Sequence, residues 1–182
     1  MKSLVAALAL SAAALVAAPA TAAPAPEKPT IVLVHGAFAP DSGDTTAALV
    51  SKFPGSKLGP ALMPPVALPG GFHDLYIAED KFHDAFAPDV SPETALILAA
   101  GQRPFSAEAF NEKATAPAWK TVPSWFVYGS GDTAIPPKSL AFMAERAKPR
   151  EIKVVQGASH VVMVSHPADV VKVIVDAAAS VH

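Results

Sequence analysis

The chain contains no cysteine, which removes disulfides, thiolate metal sites and cysteine nucleophiles together and leaves stability to packing alone. Charge is also sparse: 16% of the 182 residues are charged, the net charge is −2, and lysine and arginine nowhere cluster. Binding to nucleic acid or to an anionic membrane surface draws on such clusters, so neither partner is expected. The longest apolar run, residues 4–18, is about 15 residues, short of the roughly 20 that span a bilayer.

Apolar residues and proline are what the chain has in quantity, at 51% hydrophobic residues with 19 prolines. That much hydrophobicity argues for a buried core rather than disorder. At the N-terminus, Lys2 supplies a positive charge, the apolar run follows with Ser11 its one polar residue, and Ala20-Thr21-Ala22 gives a small-x-small site. This is the pattern of a secretory signal over residues 1–22, cleaved before Ala23, and it predicts a secreted or periplasmic protein that is not membrane-bound after cleavage. A transmembrane anchor is the alternative, disfavoured by the short run and by Pro19, which closes it. Residues 23–29, with Pro24, Pro26 and Pro29, read as a flexible extended leader. About 160 residues follow the signal, enough for one domain, placed at residues 30–182.

Three short runs, of branched or aromatic residues apart from Lys153, each end in a glycine-containing turn: Ile31-Val32-Leu33-Val34, Trp125-Phe126-Val127-Tyr128 and Ile152-Lys153-Val154-Val155. Continuous apolar runs of this length predict strands of a parallel sheet covered on both faces. Between the second and third, Leu140, Phe142, Met143 and Ala147 recur at helical spacing up to Pro149, and a last helix opens at Pro167. The segment 41–122 differs in texture, with short amphipathic pieces between prolines and glycines rather than sheet strands, and is read as a lid. Its clearest element is a helix N-capped by Ser91, with Pro92 at its first position and Gly101 just past its end. Residues 79–86 and 105–111 are further helical candidates. The pentapeptide Ala-Phe-Ala-Pro-Asp occurs twice, at residues 37–41 and 85–89.

Chemistry-bearing residues fall in the turns after the three predicted strands. His35-Gly36-Ala37-Phe38 follows the first, Gly129-Ser130-Gly131-Asp132 the second, and Gly157-Ala158-Ser159-His160 the third. A His-Gly turn, an acid and a base, in that chain order, resemble the oxyanion loop, acidic triad member and catalytic histidine of the α/β-hydrolase family. The resemblance implies an α/β fold: an abbreviated parallel sheet with flanking helices and a proline-rich helical lid. It further implies esterase-like hydrolysis of a small, fairly apolar ester or amide by a Ser-His-Asp mechanism. In that mechanism a serine attacks, His160 takes its proton, Asp132 orients the imidazole, and the backbone amides of Ala37 and Phe38 hold the oxyanion.

One part of the family pattern is missing. The nucleophile belongs in Gly-x-Ser-x-Gly on a strand-to-helix elbow between the His-Gly turn and the acid, and no serine has that setting: Ser159 has Gly157 before it but Val161 after it. The chain passes from Ala37-Phe38-Ala39 directly into lid-like sequence, which points to an internal loss of several elements. Ser42, Ser130 and Ser159 are the substitutes to weigh: Ser130 and Ser159 would need an unusual geometry, and Ser42 would need the shortened loop to fold inward. The alternative function is therefore a catalytically inactive remnant, or a protein that binds a small ligand. No cofactor is implied. The pairs His73-Asp74 and His83-Asp84 lack the i, i+4 histidine spacing of a helical metal site, so no metal is expected, and His166 before Pro167 is read as a helix cap. The exported form is predicted to begin at Ala23, a claim that an intact mass of secreted material retaining Met1 would overturn.

Overall fold

The computed structural model of the chain describes residues 30–33 and 39–180. The segment 41–122 folds into short pieces: α1 (Thr46–Val50), α2 (Leu58–Ala61), β1 (Val66–Ala67), β2 (His73–Leu75), α3 (Glu79–Phe86), α4 (Pro92–Ala100), β3 (Phe105–Ser106) and α5 (Ala107–Asn111). After it come β4 (Trp125–Gly129), α6 (Pro137–Ala147), β5 (Glu151–Val155), α7 (Val162–Ser165) and α8 (Pro167–Ala179). β4 and β5 pair in parallel, Trp125 opposite Glu151 and Gly129 opposite Val155. A parallel pair needs a crossover connection, which α6 provides.

The helices form where local sequence allows them and face where their apolar residues point. In α6, Pro137 takes the first position, where its missing N–H costs nothing. Leu140, Met143, Ala144 and Ala147 then bury one face, and Lys148 turns left-handed to stop the helix before Pro149. This face packs with Phe126 of β4, Ile135, Leu49 and Val50. α8 lies against both strands of the parallel pair, with Val173 buried. In α4 the Ser91 hydroxyl accepts from the Thr94 amide, satisfying one of the N–H groups that a helix start leaves unpaired. α3 and α4 join through small residues, Ala85, Ala87, Ala95 and Ala99, around Phe82. Val161 from the far end of the chain enters this same cluster.

Two sequence expectations are corrected. Ile31, Val32 and Leu33 form no strand, and Val32 and Leu33 are 78% and 75% exposed; Val34 lies outside the described residues. A strand buried on both faces needs hydrogen-bonded neighbours and covering helices, and among the described residues the parallel sheet has only β4 and β5. The segment 41–122 does hold a sheet, the antiparallel β1, β2 and β3, whose strands of two or three residues are too short to leave a periodic signal. The helix expected at 105–111 accordingly begins at Ala107, after β3. His166 does cap, closing α7 with its amide on the Val162 carbonyl and standing at the N-cap of α8, but it caps with its backbone, while its Nδ1 faces the Ser165 hydroxyl at 2.9 Å.

Met143 is 1% exposed at the centre of the α6 cluster. Met143→Ala should therefore cost about 2–5 kcal/mol of unfolding free energy, the range for emptying a core position of this size, read as a lowered midpoint in urea.

Candidate active site

The register of β4 and β5 brings their C-terminal turns out side by side. The Ser130 amide donates to the Val155 carbonyl and the Gly131 amide to the Ala158 carbonyl, both at 2.9 Å, while the Ser130 hydroxyl accepts from the Gly157 amide at 2.8 Å. The approach is so close that a Cβ on Gly129 would collide with the Ala158 carbonyl, and one on Gly131 would stand 2.8 Å from the Gly157 oxygen. Glycine at both positions is thus required by contact between the two backbones.

This contact sets Asp132 against His160. His160 Nδ1 lies 2.8 Å from Asp132 Oδ2, and the other carboxylate oxygen accepts the amides of Ala134 and Ile135 at 2.8 and 2.9 Å. Asp132 is buried, whereas the His160 side chain keeps 18% of its surface open. An imidazole whose Nδ1–H is held by a carboxylate carries its lone pair on Nε2, the arrangement suited to removing a proton from a bound nucleophile. The Phe86 ring packs on the imidazole with centroids 4.5 Å apart.

The segment 41–122 braces both turns. The Thr133 hydroxyl donates to the carbonyls of Asp84 and Ala85, the Ser56 hydroxyl to the Ala134 carbonyl at 2.7 Å, and the Lys57 amide to the Thr133 carbonyl at 2.7 Å. On the histidine side, Asp89 accepts both the amide of Ser159, at 2.8 Å, and its hydroxyl. Burial raises the Asp89 pKa, but hydrogen bonds from the Ser159 hydroxyl, the Ser165 hydroxyl and the Ser159 amide outweigh it and hold the carboxyl below its ordinary value. The sequence reading passed over Asp89. Its only visible mark was its place at the end of the repeated pentapeptide, where nothing distinguishes a loop aspartate in contact with a remote turn from one in water. A second pair, His73 Nδ1 with Glu108 at 2.9 Å, ties β2 to α5, and the bonds from His73 lower the Glu108 pKa to about 2.

The other residues singled out from sequence do not join the dyad. His35, Gly36, Ala37 and Phe38 lie outside the described residues. Ser42 is exposed, its amide bonded to Asp41. The Ser130 hydroxyl is engaged with Gln156 and the Gly157 amide, and the Ser159 hydroxyl is committed to Asp89. Among the described residues no group of three His, Asp or Glu is placed to hold a metal ion, and no helix is long and apolar enough to cross a membrane. Two open cavities, of about 500 and 570 Å³, are lined around Trp119 and Arg150 and around Met63 and Leu96, and neither is lined by Asp132 or His160.

A model of the alpha/beta hydrolase family matches residues 3–173. No curated protein matches the chain. Among solved structures, a polyneuridine aldehyde esterase mutant is similar with a TM-score of 0.62 at 15% identity, over 77% of this chain and 58% of that one. Tomato methylketone synthase I, complexed with 2-tridecanone, gives 0.56 at 20% identity over 80% of this chain and 59% of its own. An extracellular α/β-hydrolase from a Paenibacillus species gives 0.51 at 21% identity, over 78% and 58%. At these identities the likeness shows the fold, and the chain spans under two thirds of the length of each.

Because a methyl on Gly129 would meet backbone rather than a side chain that could swing away, Gly129→Ala should destabilise the protein by about 1–3 kcal/mol through overpacking. It should also part the two turns. Denaturant unfolding measures the first effect, and loss of the low-field His160 Nδ1 proton resonance reports the second.

Proposed function

Because the chain belongs to the α/β-hydrolase family, we propose that it carries the acid–base half of an esterase-like site, directed at a small, fairly apolar ester or amide. The observation that carries the reading is the 2.8 Å contact of His160 with a buried carboxylate that two amides hold in place. Three roles of the family's Ser-His-Asp mechanism are assigned: base to His160, orienting acid to Asp132, and oxyanion donors to the amides of Ala37 and Phe38. The nucleophile's role is left without a residue, so water takes it. His160 Nε2 accepts a proton from water as the oxygen adds to the substrate carbonyl. The Ala37 and Phe38 amides hold the resulting oxyanion, the bond to the alcohol breaks, and the departing alkoxide takes the proton back from the imidazole.

Three similar structures support this reading. One similar structure is an esterase and another an extracellular hydrolase, while a third holds the long apolar ketone 2-tridecanone, in keeping with an apolar small molecule as substrate. The proposed organisation is an exported chain with a signal at residues 1–22, a leader at 23–29 and one domain at 30–182, whose segment 41–122 is the lid. The second reading, a non-catalytic protein that binds a small ligand, is favoured by one specific observation: the serine hydroxyls in the turns beside the dyad are bonded elsewhere.

Treatment with a fluorophosphonate, which labels activated serines, should add no mass. Hydrolysis of short-chain activated esters should be slow. His160→Ala should reduce it by about 10²-fold or more, the contribution usual for a positioned base. His160-dependent labelling of any serine, Ser42 first, would establish a covalent route instead, and hydrolysis indifferent to His160→Ala would favour the binding reading.

A further inference from the structure

We propose that Asp89 is the positioning residue of the histidine turn, holding His160 in register with Asp132 by bonding the Ser159 amide before it and fixing the Ser159 hydroxyl that takes the Val161 amide after it. Relevance to turnover rests on the reading of His160 as the base; the structural role of Asp89 does not.

The argument is geometric. On the N-terminal side of His160, the Ser159 amide donates to Asp89 Oδ2 at 2.8 Å. On the C-terminal side, the Val161 amide donates to the Ser159 hydroxyl oxygen at 3.3 Å, and that hydroxyl in turn donates to Asp89 Oδ1. One carboxylate therefore holds the residue before His160 directly and the residue after it through a single hydroxyl. Ser159 and Val161 are buried, at 1% and 6% exposure, so donors released from Asp89 would have no water ready to replace it. The carboxylate itself is 15% exposed and sits three residues beyond Phe86, the residue whose ring packs, tilted, against the imidazole. Neither bond from Ser159 reaches the ring, so Asp89 acts through the turn and takes no part in proton transfer.

A carboxylate suits this position because the two donors of Ser159 converge on it and each of its oxygens takes one of them. Asparagine keeps one acceptor oxygen, and its NH2 can donate to the Ser159 oxygen while that hydroxyl turns away. Alanine keeps neither contact.

Amide hydrogen exchange on the full chain, followed by NMR, tests the assignment. In Asp89→Ala the amides of Ser159 and Val161 and the His160 Nδ1 proton should exchange roughly tenfold faster or more, the scale set by leaving a buried donor unsatisfied. The amides of Ala134 and Ile135, held by Asp132 Oδ1, should keep their rates. Ser159→Ala, which removes only the hydroxyl, should speed the Val161 amide and spare the amide of residue 159, and it decides the matter if Asp89→Ala does not fold. Asp89→Asn should restore most of the lost protection. Equal acceleration of all four amides would mark a general structural role and overturn the proposal, as would unchanged rates at Val161 in Ser159→Ala. Where ester hydrolysis is measurable, kcat in Asp89→Ala should fall about tenfold with KM little changed, since a displaced base slows chemistry rather than binding. If the wild-type chain hydrolyses no ester, the proposed function fails alone, and the exchange rates still decide the role of Asp89.

Discussion

The site depends on one backbone-on-backbone contact, where the turn after β4 rests on the turn after β5. Parallel pairing with Gly129 opposite Val155 brings both turns out at the same level of the sheet, and the absence of side chains at Gly129 and Gly131 lets their backbones touch. Two further bonds, from the Gly131 amide to the Ala158 carbonyl and from the Gly157 amide to the Ser130 hydroxyl, lock the pair. Asp132 and His160 then meet because each follows its turn by a fixed, short path. Their distance is an outcome of main-chain geometry before it is an outcome of charge, which is why the dyad forms beside a parallel sheet of only two described strands.

Two strands would hold such turns loosely without outside support, since a parallel pair has few bonds and its loops are free on one side. The segment 41–122 provides that support. Thr133 and Ala134 are gripped by Asp84, Ala85, Ser56 and Lys57, Ser159 is gripped by Asp89, and Val161 is buried in the cluster that joins α3 and α4. The part of the chain that reads from sequence as a cover is, in structure, a brace on the turns that carry Asp132 and His160. Its connection to the dyad is tightest at the end of α3, where Phe86 meets the imidazole and Asp89 meets the turn that carries it.

Sequence and structure agree where local chemistry and tertiary setting point the same way. The runs at Trp125 and Ile152, the helices opened by Pro137 and Pro167 and the Ser91-capped helix were legible because each combines a period with a start or stop signal. The placement of Asp132 and His160 was legible for a different reason, namely that both follow glycine turns at the ends of such strands. The Ile31 run was misread because its composition describes a buried strand but carries no information about whether neighbours exist to bury it. The sheet of β1, β2 and β3 was invisible because its strands are shorter than any usable period. Asp89 was invisible because its partner lies 70 residues away, and a loop aspartate has no local signature for a distant contact.

The bonds of Ser159 also bear on why the dyad stands without a serine. Ser159 is the hydroxyl residue next to His160 in sequence, and its hydroxyl donates to Asp89 while accepting from the Val161 amide. To attack a carbonyl it would have to release both, leaving the partly buried Asp89 carboxylate short of a donor and the buried Val161 amide unpaired, the latter at a cost of about 1–3 kcal/mol. It would also have to reach Nε2 from the backbone position adjoining the imidazole, while Nδ1 stays bound to Asp132. The interaction that keeps His160 aligned thus withdraws the neighbouring hydroxyl from chemistry. In the described residues His160 is held by Asp132 while the hydroxyls of Ser130 and Ser159 are bonded to other groups, which is the arrangement behind the proposed use of water as nucleophile.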